Sequence, residues 1–76
     1  MNKSNLNRVN KIIKKYKNIN FKNNDDLFKK GIVDSFDILN IIVDLEREFK
    51  IKIDLTKEKK FIFSVNKLCQ KIASNN

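Results

Sequence analysis

Three segments of the chain repeat apolar residues at intervals of three and four, which is the spacing of one face of an α-helix. The first segment covers residues 4–17, the second runs from Ser35 to about Phe49, and the third covers residues 65–73. A chain of 76 residues is the size of one small domain. We therefore expect one helical domain over residues 1–76.

Each predicted helix has a polar residue placed to cap its N-terminus. The candidates are Ser4 or Asn5 for the first helix, Asp34 for the second and Ser64 for the third. The residues predicted to face the core are Leu6, Val9, Ile12, Ile13 and Tyr16 in the first helix, Ile38, Ile41, Ile42, Leu45 and Phe49 in the second, and Val65, Leu68, Cys69 and Ile72 in the third.

The connections between these helices differ in length. Residues 18–34 lose the helical period and are predicted to form a long loop, in which Gly31 adopts a conformation that other residues resist. The alternating run at residues 51–55 has no convincing partner strand, so we expect an extended connection leading into a short helix at about residues 56–61. The predicted fold is all-α, a small four-helix bundle with three longer helices, one short helix and a long first loop.

Composition excludes several classes of protein. The sequence has no histidine and one cysteine, Cys69, which argues against a zinc or haem site and against an internal disulfide. No apolar run approaches the roughly 20 residues that cross a bilayer, and the N-terminus lacks the apolar core of a signal peptide. We expect a cytoplasmic monomer with no membrane span and no bound metal.

Charge is unevenly distributed along the chain. Residues 1–33 carry +7 and residues 55–76 carry +4, whereas residues 34–54 carry −3, which gives a formal net charge of +8. A small basic helical domain that binds nucleic acid is therefore an alternative, with lysines of the first helix and of residues 57–60 on the phosphates. We do not expect this partner, because the acidic segment would repel phosphate. Coding bias towards Lys, Asn and Ile would equally explain the positive charge.

Ser35 lies where the long loop meets the second helix, between Asp34 and Phe36. No constellation in the sequence links this serine to a base, so we expect neither an enzyme nor a catalytic residue. A hydroxyl that is displayed but not activated indicates a site that another enzyme modifies. The alternative is an ordinary first-turn serine beside its capping aspartate.

The second helix also carries apolar residues opposite its core face when successive residues are placed about 100° apart. Phe36 and Val43 fall on this side, and Leu39 lies between the two faces. Their polar neighbours there are Asn40, Asp44 and Arg47. A surface helix does not need large apolar residues pointing outward, so we predict a partner-binding face. The alternatives are that the long loop of residues 18–34 buries Phe36 and Val43 and that the acidic residues form a solvated face.

Residues 27–36, Leu-Phe-Lys-Lys-Gly-Ile-Val-Asp-Ser-Phe, resemble the signature of the acyl carrier protein family, in which an Asp-Ser pair precedes a large apolar residue. The resemblance continues through residues 41–49 and 51–53 and resumes at residues 64–68. The order of helices and the serine that opens the second long helix are also similar to that family.

The resemblance implies that a phosphopantetheinyl transferase attaches 4′-phosphopantetheine from coenzyme A to the hydroxyl of Ser35, with Asp34 and Phe36 beside it. The arm ends in a thiol that carries an acyl or aminoacyl group as a thioester between loading and transferring enzymes. It also implies a partner-binding face that combines apolar anchors with charge. The residues of this face are Phe36, Asp37, Asn40, Val43, Asp44, Arg47 and Glu48.

Two features depart from the family pattern. The chain is strongly basic where typical bacterial carriers are acidic, and Arg47 interrupts the acidic row of the second helix. We therefore expect a carrier dedicated to one pathway, such as a D-alanyl carrier for cell-wall polymers or a small carrier in polysaccharide or secondary-metabolite synthesis. Housekeeping fatty acid synthesis is the alternative pathway.

Overall fold

The structure, a computed structural model, describes residues 3–55 and 62–74. It contains three helices, α1 (Lys3–Tyr16), α2 (Ser35–Phe49) and α3 (Val65–Ala73), and no strand within the described residues. The predicted bounds of α2 and α3 are confirmed, and those of α1 are shifted by one residue. The short helix predicted at about residues 56–61 lies outside the described residues. None of the helices described is long and apolar enough to cross a membrane.

The core forms where α1 contacts both α2 and α3. Its buried members are Val9 and Ile13 from α1, Ile41 and Leu45 from α2, Val65, Leu68, Cys69 and Ile72 from α3, and Leu27, Val33, Ile53 and Phe63 from the connecting segments. Burial of one such large side chain contributes roughly 1.5–3 kcal/mol. The predicted inward faces are confirmed, since the other inward residues of α1 and α2 pack against this core while partly exposed.

The long loop between α1 and α2 is hydrogen-bonded to the segment that precedes α3 and to the first turn of α3. The main-chain N–H of Leu27 donates to the carbonyl of Phe63 at 2.9 Å, and that of Asn66 donates to Asn23 at 3.0 Å. Leu27 also accepts from the N–H of Ile32 at 2.9 Å, and its side chain is fully buried. These contacts fix the position of the loop, and therefore the position at which α2 begins.

The C-terminus of α2 ends on a left-handed residue, Lys50, with φ 56°. The main-chain N–H groups of Lys50 and Ile51 both donate to the carbonyl of Glu46, the second at 3.1 Å. The carboxylate of Glu46 accepts from the N–H of Ile53 at 2.8 Å. Residues 51–55 then continue as neither helix nor strand, so the prediction that this alternating run is not a strand is confirmed.

Gly31 has φ +74°, which confirms the prediction that it adopts a conformation other residues resist. A Cβ built there would meet no atom within 4 Å, so a side chain is opposed by backbone strain alone. We expect Gly31→Ala to lower the free energy of unfolding by about 1 kcal/mol. Gly31→Asn should lose less, because asparagine tolerates the left-handed region. Urea unfolding measures both, and an alanine variant as stable as the parent would contradict the expectation.

Candidate functional site

Ser35 is the first residue of α2 and is exposed. The residue before it, Asp34, is the N-cap, and its carboxylate accepts from the N–H of Asp37 at 2.8 Å. The carboxylate of Asp37 accepts in turn from the N–H of Asp34 at 3.1 Å. This reciprocal capping box satisfies amides at the helix start. It uses both neighbouring acids and leaves the Ser35 hydroxyl out of the capping hydrogen bonds.

An apolar groove opens beside Ser35. Its volume is about 490 Å³, and its other lining residues are Phe28, Ile38, Leu39 and Leu55. Phe28 and Leu39 are 52% and 64% exposed, so large apolar surface faces solvent next to the hydroxyl. The sequence placed Leu39 between the two faces of the helix but gave no signal for the groove. Phe28 and Leu55, which form its other wall, lie outside the helices. No helical periodicity there indicates which way a side chain points.

The outward side of α2 carries an apolar stripe that starts beside Ser35. Phe36 is 71% exposed and Val43 is 47% exposed, which confirms that both point outward and excludes burial of Phe36 under the loop. We define the outward stripe as Phe36, Leu39, Asn40, Val43 and Arg47. Arg47 is exposed at its far end and is the charged residue of the stripe.

Three acidic residues of α2 lie beside this stripe, on the side that faces α1. Each forms an ion pair with a basic side chain of α1 or with Lys17, the residue that follows α1. We call this set the α1–α2 ion pairs. They are Lys17 with Asp37 at 3.5 Å, Lys15 with Asp44 at 2.7 Å and Arg8 with Glu48 at 2.9 Å. The acids predicted for the partner-binding face are thus engaged within the chain.

The middle ion pair includes a further hydrogen bond. The hydroxyl of Tyr16 donates to the same carboxylate oxygen of Asp44 that Lys15 contacts. The hydrogen bonds from Lys15 and Tyr16 hold the pKa of Asp44 below its ordinary value near 3.8. The same bonds raise the pKa of Lys15 above 10.5 and the pKa of Tyr16 above 10.0. All three groups therefore keep the protonation states that bind one another across the neutral range.

Arg8 joins α1 to the end of α2 by three contacts. Its Nε donates to the carboxylate of Glu48 at 3.0 Å, and a terminal nitrogen donates to the Glu48 carbonyl at 3.3 Å. Its guanidinium lies 4.1 Å from the centroid of the Phe49 ring, a cation–π contact. The two helices are therefore antiparallel, since the N-terminal half of α1 contacts the C-terminal end of α2.

The chemistry available around Ser35 is limited. Its neighbouring acids bind main-chain amides, and the amide of Asp34 is the main cause that lowers the pKa of Asp37, with Lys17 adding to it. Within residues 3–55 and 62–74, no cluster of three or more metal-ligating side chains is present. Ser35 is thus exposed beside apolar surface, and the carboxylates of Asp34 and Asp37 are bound to main-chain amides.

Comparisons with protein families, with curated proteins and with solved structures found no match to this chain.

The capping box makes a prediction about stability. Asp34→Ala should lower the free energy of unfolding by about 1 kcal/mol, because the N-cap acceptor is lost. Asp34→Asn should lose less, since an acceptor oxygen remains. Ser35→Ala should be nearly neutral, because the hydroxyl takes no part in capping. Urea unfolding compares the three variants, and equal losses for Ser35→Ala and Asp34→Ala would contradict this assignment.

The Asp44 carboxylate makes a prediction about pH. Its pKa is lower in the folded protein than in the unfolded chain, so its contribution is present above the unfolded pKa. That contribution is lost as pH falls through the folded pKa. Asp44→Asn should therefore be less stable at neutral pH and should show a flatter fall in stability between about pH 5 and pH 2. Urea unfolding at each pH gives the two curves.

A double-mutant cycle supplies the control for this prediction. Lys15→Met and Asp44→Asn should each destabilise the fold at neutral pH, and the double variant should lose less than the sum of the two. Strict additivity, or an unchanged acid limb in Asp44→Asn, would show that this ion pair does not stabilise the protein.

Proposed function

We propose that the chain is a carrier protein in which the Ser35 hydroxyl bears 4′-phosphopantetheine through a phosphodiester. A phosphopantetheinyl transferase lets the Ser35 oxygen attack the pyrophosphate of coenzyme A. The P–O bond of that pyrophosphate breaks, adenosine 3′,5′-bisphosphate leaves, and the hydroxyl proton is released. The thiol of the arm then carries an acyl or aminoacyl group as a thioester. The carrier performs no chemistry on its cargo and presents it to partner enzymes.

One observation carries the proposal: the serine of the Asp-Ser-Phe sequence is exposed at the first residue of α2. Attachment needs a hydroxyl that a transferase active site reaches, and a helix start at the end of a loop offers it. The capping aspartate makes the helix independent of the hydroxyl, so Ser35 is available for a bond without loss of the fold. The resemblance in sequence adds the identity of the attached group.

The groove beside Ser35 supports the same proposal. An arm attached there starts next to Phe28 and Leu39, whose exposed side chains offer apolar contact. Apolar contact beside the attachment point suits the methylenes of the arm and an apolar cargo, because their burial is favourable in water.

The phosphate of the arm would experience two opposing influences. The N-terminus of α2 favours a nearby anion through its amides and dipole. The carboxylates of Asp34 and Asp37 oppose it, although each is held by a main-chain amide. The covalent bond to Ser35 would then set the position of the phosphate, and electrostatic attraction would add little.

The charge pattern supports a carrier for a dedicated pathway. The net charge of +8 and Arg47 on the outward stripe give this chain a surface unlike that of an acidic housekeeping carrier. Its partner enzymes would accordingly differ from those of general fatty acid synthesis, which stays the alternative pathway.

The nucleic-acid-binding alternative loses support from the α1–α2 ion pairs. Arg8, Lys15 and Lys17 already contact carboxylates of α2. Phosphate contacts by these three residues would have to displace those carboxylates, so these three cations are not free for a phosphate backbone.

Modification of Ser35 tests the proposal directly. Incubation of the purified protein with coenzyme A and a broad-specificity phosphopantetheinyl transferase should add about 340 Da, the mass of the phosphopantetheine group. Ser35→Ala should abolish the gain, because the acceptor hydroxyl is removed. Intact-mass spectrometry measures the gain, and peptide mapping locates it.

Ser4→Ala is the matched control, since it removes another exposed serine hydroxyl at the start of α1. It should be loaded like the parent protein. Circular dichroism of Ser35→Ala should match the parent, which separates loss of the acceptor from loss of the fold. No mass gain by the parent protein under conditions that load a known carrier would overturn the proposal.

A further inference from the structure

We propose that enzymes acting on this carrier dock on the outward stripe with an apolar surface and a carboxylate that faces Arg47, so that the carrier contributes positive charge to the encounter. The inference rests on the proposed function and deepens it, because it states the chemistry of the partner.

The acids of α2 are poor candidates for the charge that a partner reads. Asp37 and Asp44 have side chains that are 17% and 15% exposed, and each is paired with a lysine. A partner that used them would have to compete with a cation already in place. Glu48 is more exposed, at 45%, but it is held by Arg8 through its carboxylate and by a second bond at its carbonyl.

Arg47 is placed differently from these acids. It follows Val43 by one helical turn on the outward stripe and is exposed. The surface between α1 and α2 next to it forms two adjoining hollows, of about 240 and 300 Å³. The charged residues that line them are Arg8, Lys11, Lys15, Arg47, Asp44 and Glu48. Cations outnumber carboxylates there, so the edge of the stripe is positive.

Charge complementarity decides between the possible occupants of the stripe. A second copy of the chain would bring another net charge of +8 and a second Arg47 against the first, and like charges at an interface are unfavourable. A lipid surface has no active site to receive a group attached to Ser35. An enzyme with an apolar cleft and an acidic rim could contact the exposed Phe36 with the cleft and pair with Arg47 through the rim.

The rate of Ser35 loading tests the inference, since the transferase must dock over this stripe. The probe is a broad-specificity phosphopantetheinyl transferase with coenzyme A, and the measured quantity is kcat/KM for the carrier at low and high ionic strength. Arg47→Glu should lower kcat/KM by roughly fivefold at low salt, and the loss should shrink at high salt because exposed charges are screened.

Lys14→Glu is the matched control, because it makes the same change in net charge on α1, away from the outward stripe of α2. The Lys14 ammonium lies 5.6 Å from the centroid of the Phe21 ring. The Lys14→Glu variant should keep kcat/KM within about twofold of the parent value. Asp44→Asn should load no more slowly than the parent protein, because it removes a carboxylate from the hollow that Arg47 lines.

The outcomes separate this inference from the proposed function. Loading of the parent protein with equal rates for Arg47→Glu and Lys14→Glu would overturn the inference and leave the carrier function intact. Faster loading of Arg47→Glu, or slower loading of Asp44→Asn than of Arg47→Glu, would overturn it as well, since the acids would then be the recognised charges. Failure to load the parent protein would overturn both proposals.

Discussion

The reciprocal hydrogen bonds between Asp34 and Asp37 determine where α2 begins, and the arrangement of the site depends on that start. They place Ser35 at the first helical position, where the residue is exposed. If the helix began one residue later, Ser35 would be the N-cap and no longer the first helical residue. The same Asp37 contacts Lys17, so the start of α2 is also connected to the end of α1.

The α1–α2 ion pairs explain how an acidic helix is accommodated in a strongly basic chain. Isolated exposed pairs contribute little to stability, typically about 0–1 kcal/mol each. The pair at Asp44 differs, because Lys15 and Tyr16 meet at one largely buried carboxylate. The principal effect of the three ion pairs is on the charge of the surface. They neutralise three carboxylates on the side of α2 next to the outward stripe.

Much of the fold could be predicted from the sequence because local signals agreed with each other. Asp34 and Ser64 are caps that act within one turn, and the apolar periods of α2 and α3 match the observed buried faces. Gly31 is predictable for the same reason, because its conformation is a local backbone property. Lys50 has the left-handed conformation without being glycine, so its residue type gave no indication.

The site was less predictable because it depends on contacts between distant segments. Helical periodicity showed that Asp44 and Glu48 lie off the core face but not that α1 would bring Lys15 and Arg8 beside them. The groove needs Phe28 and Leu55 to approach α2, and neither lies in a helix. One sequence pattern does indicate the ion pairs. The acids of α2, read forwards, pair with basic residues in and just after α1, read backwards, as two antiparallel helices require.

The position of Cys69 has a consequence for thiol chemistry. It is the one cysteine of the sequence, it is 1% exposed within the core, and burial raises the pKa of its thiol. A protonated, enclosed sulfur is a poor nucleophile, so Cys69 competes poorly as a thiol acceptor for an activated acyl group. In the proposed carrier, an alkylating reagent or an incoming acyl donor would therefore react with the thiol of the prosthetic arm in preference to Cys69.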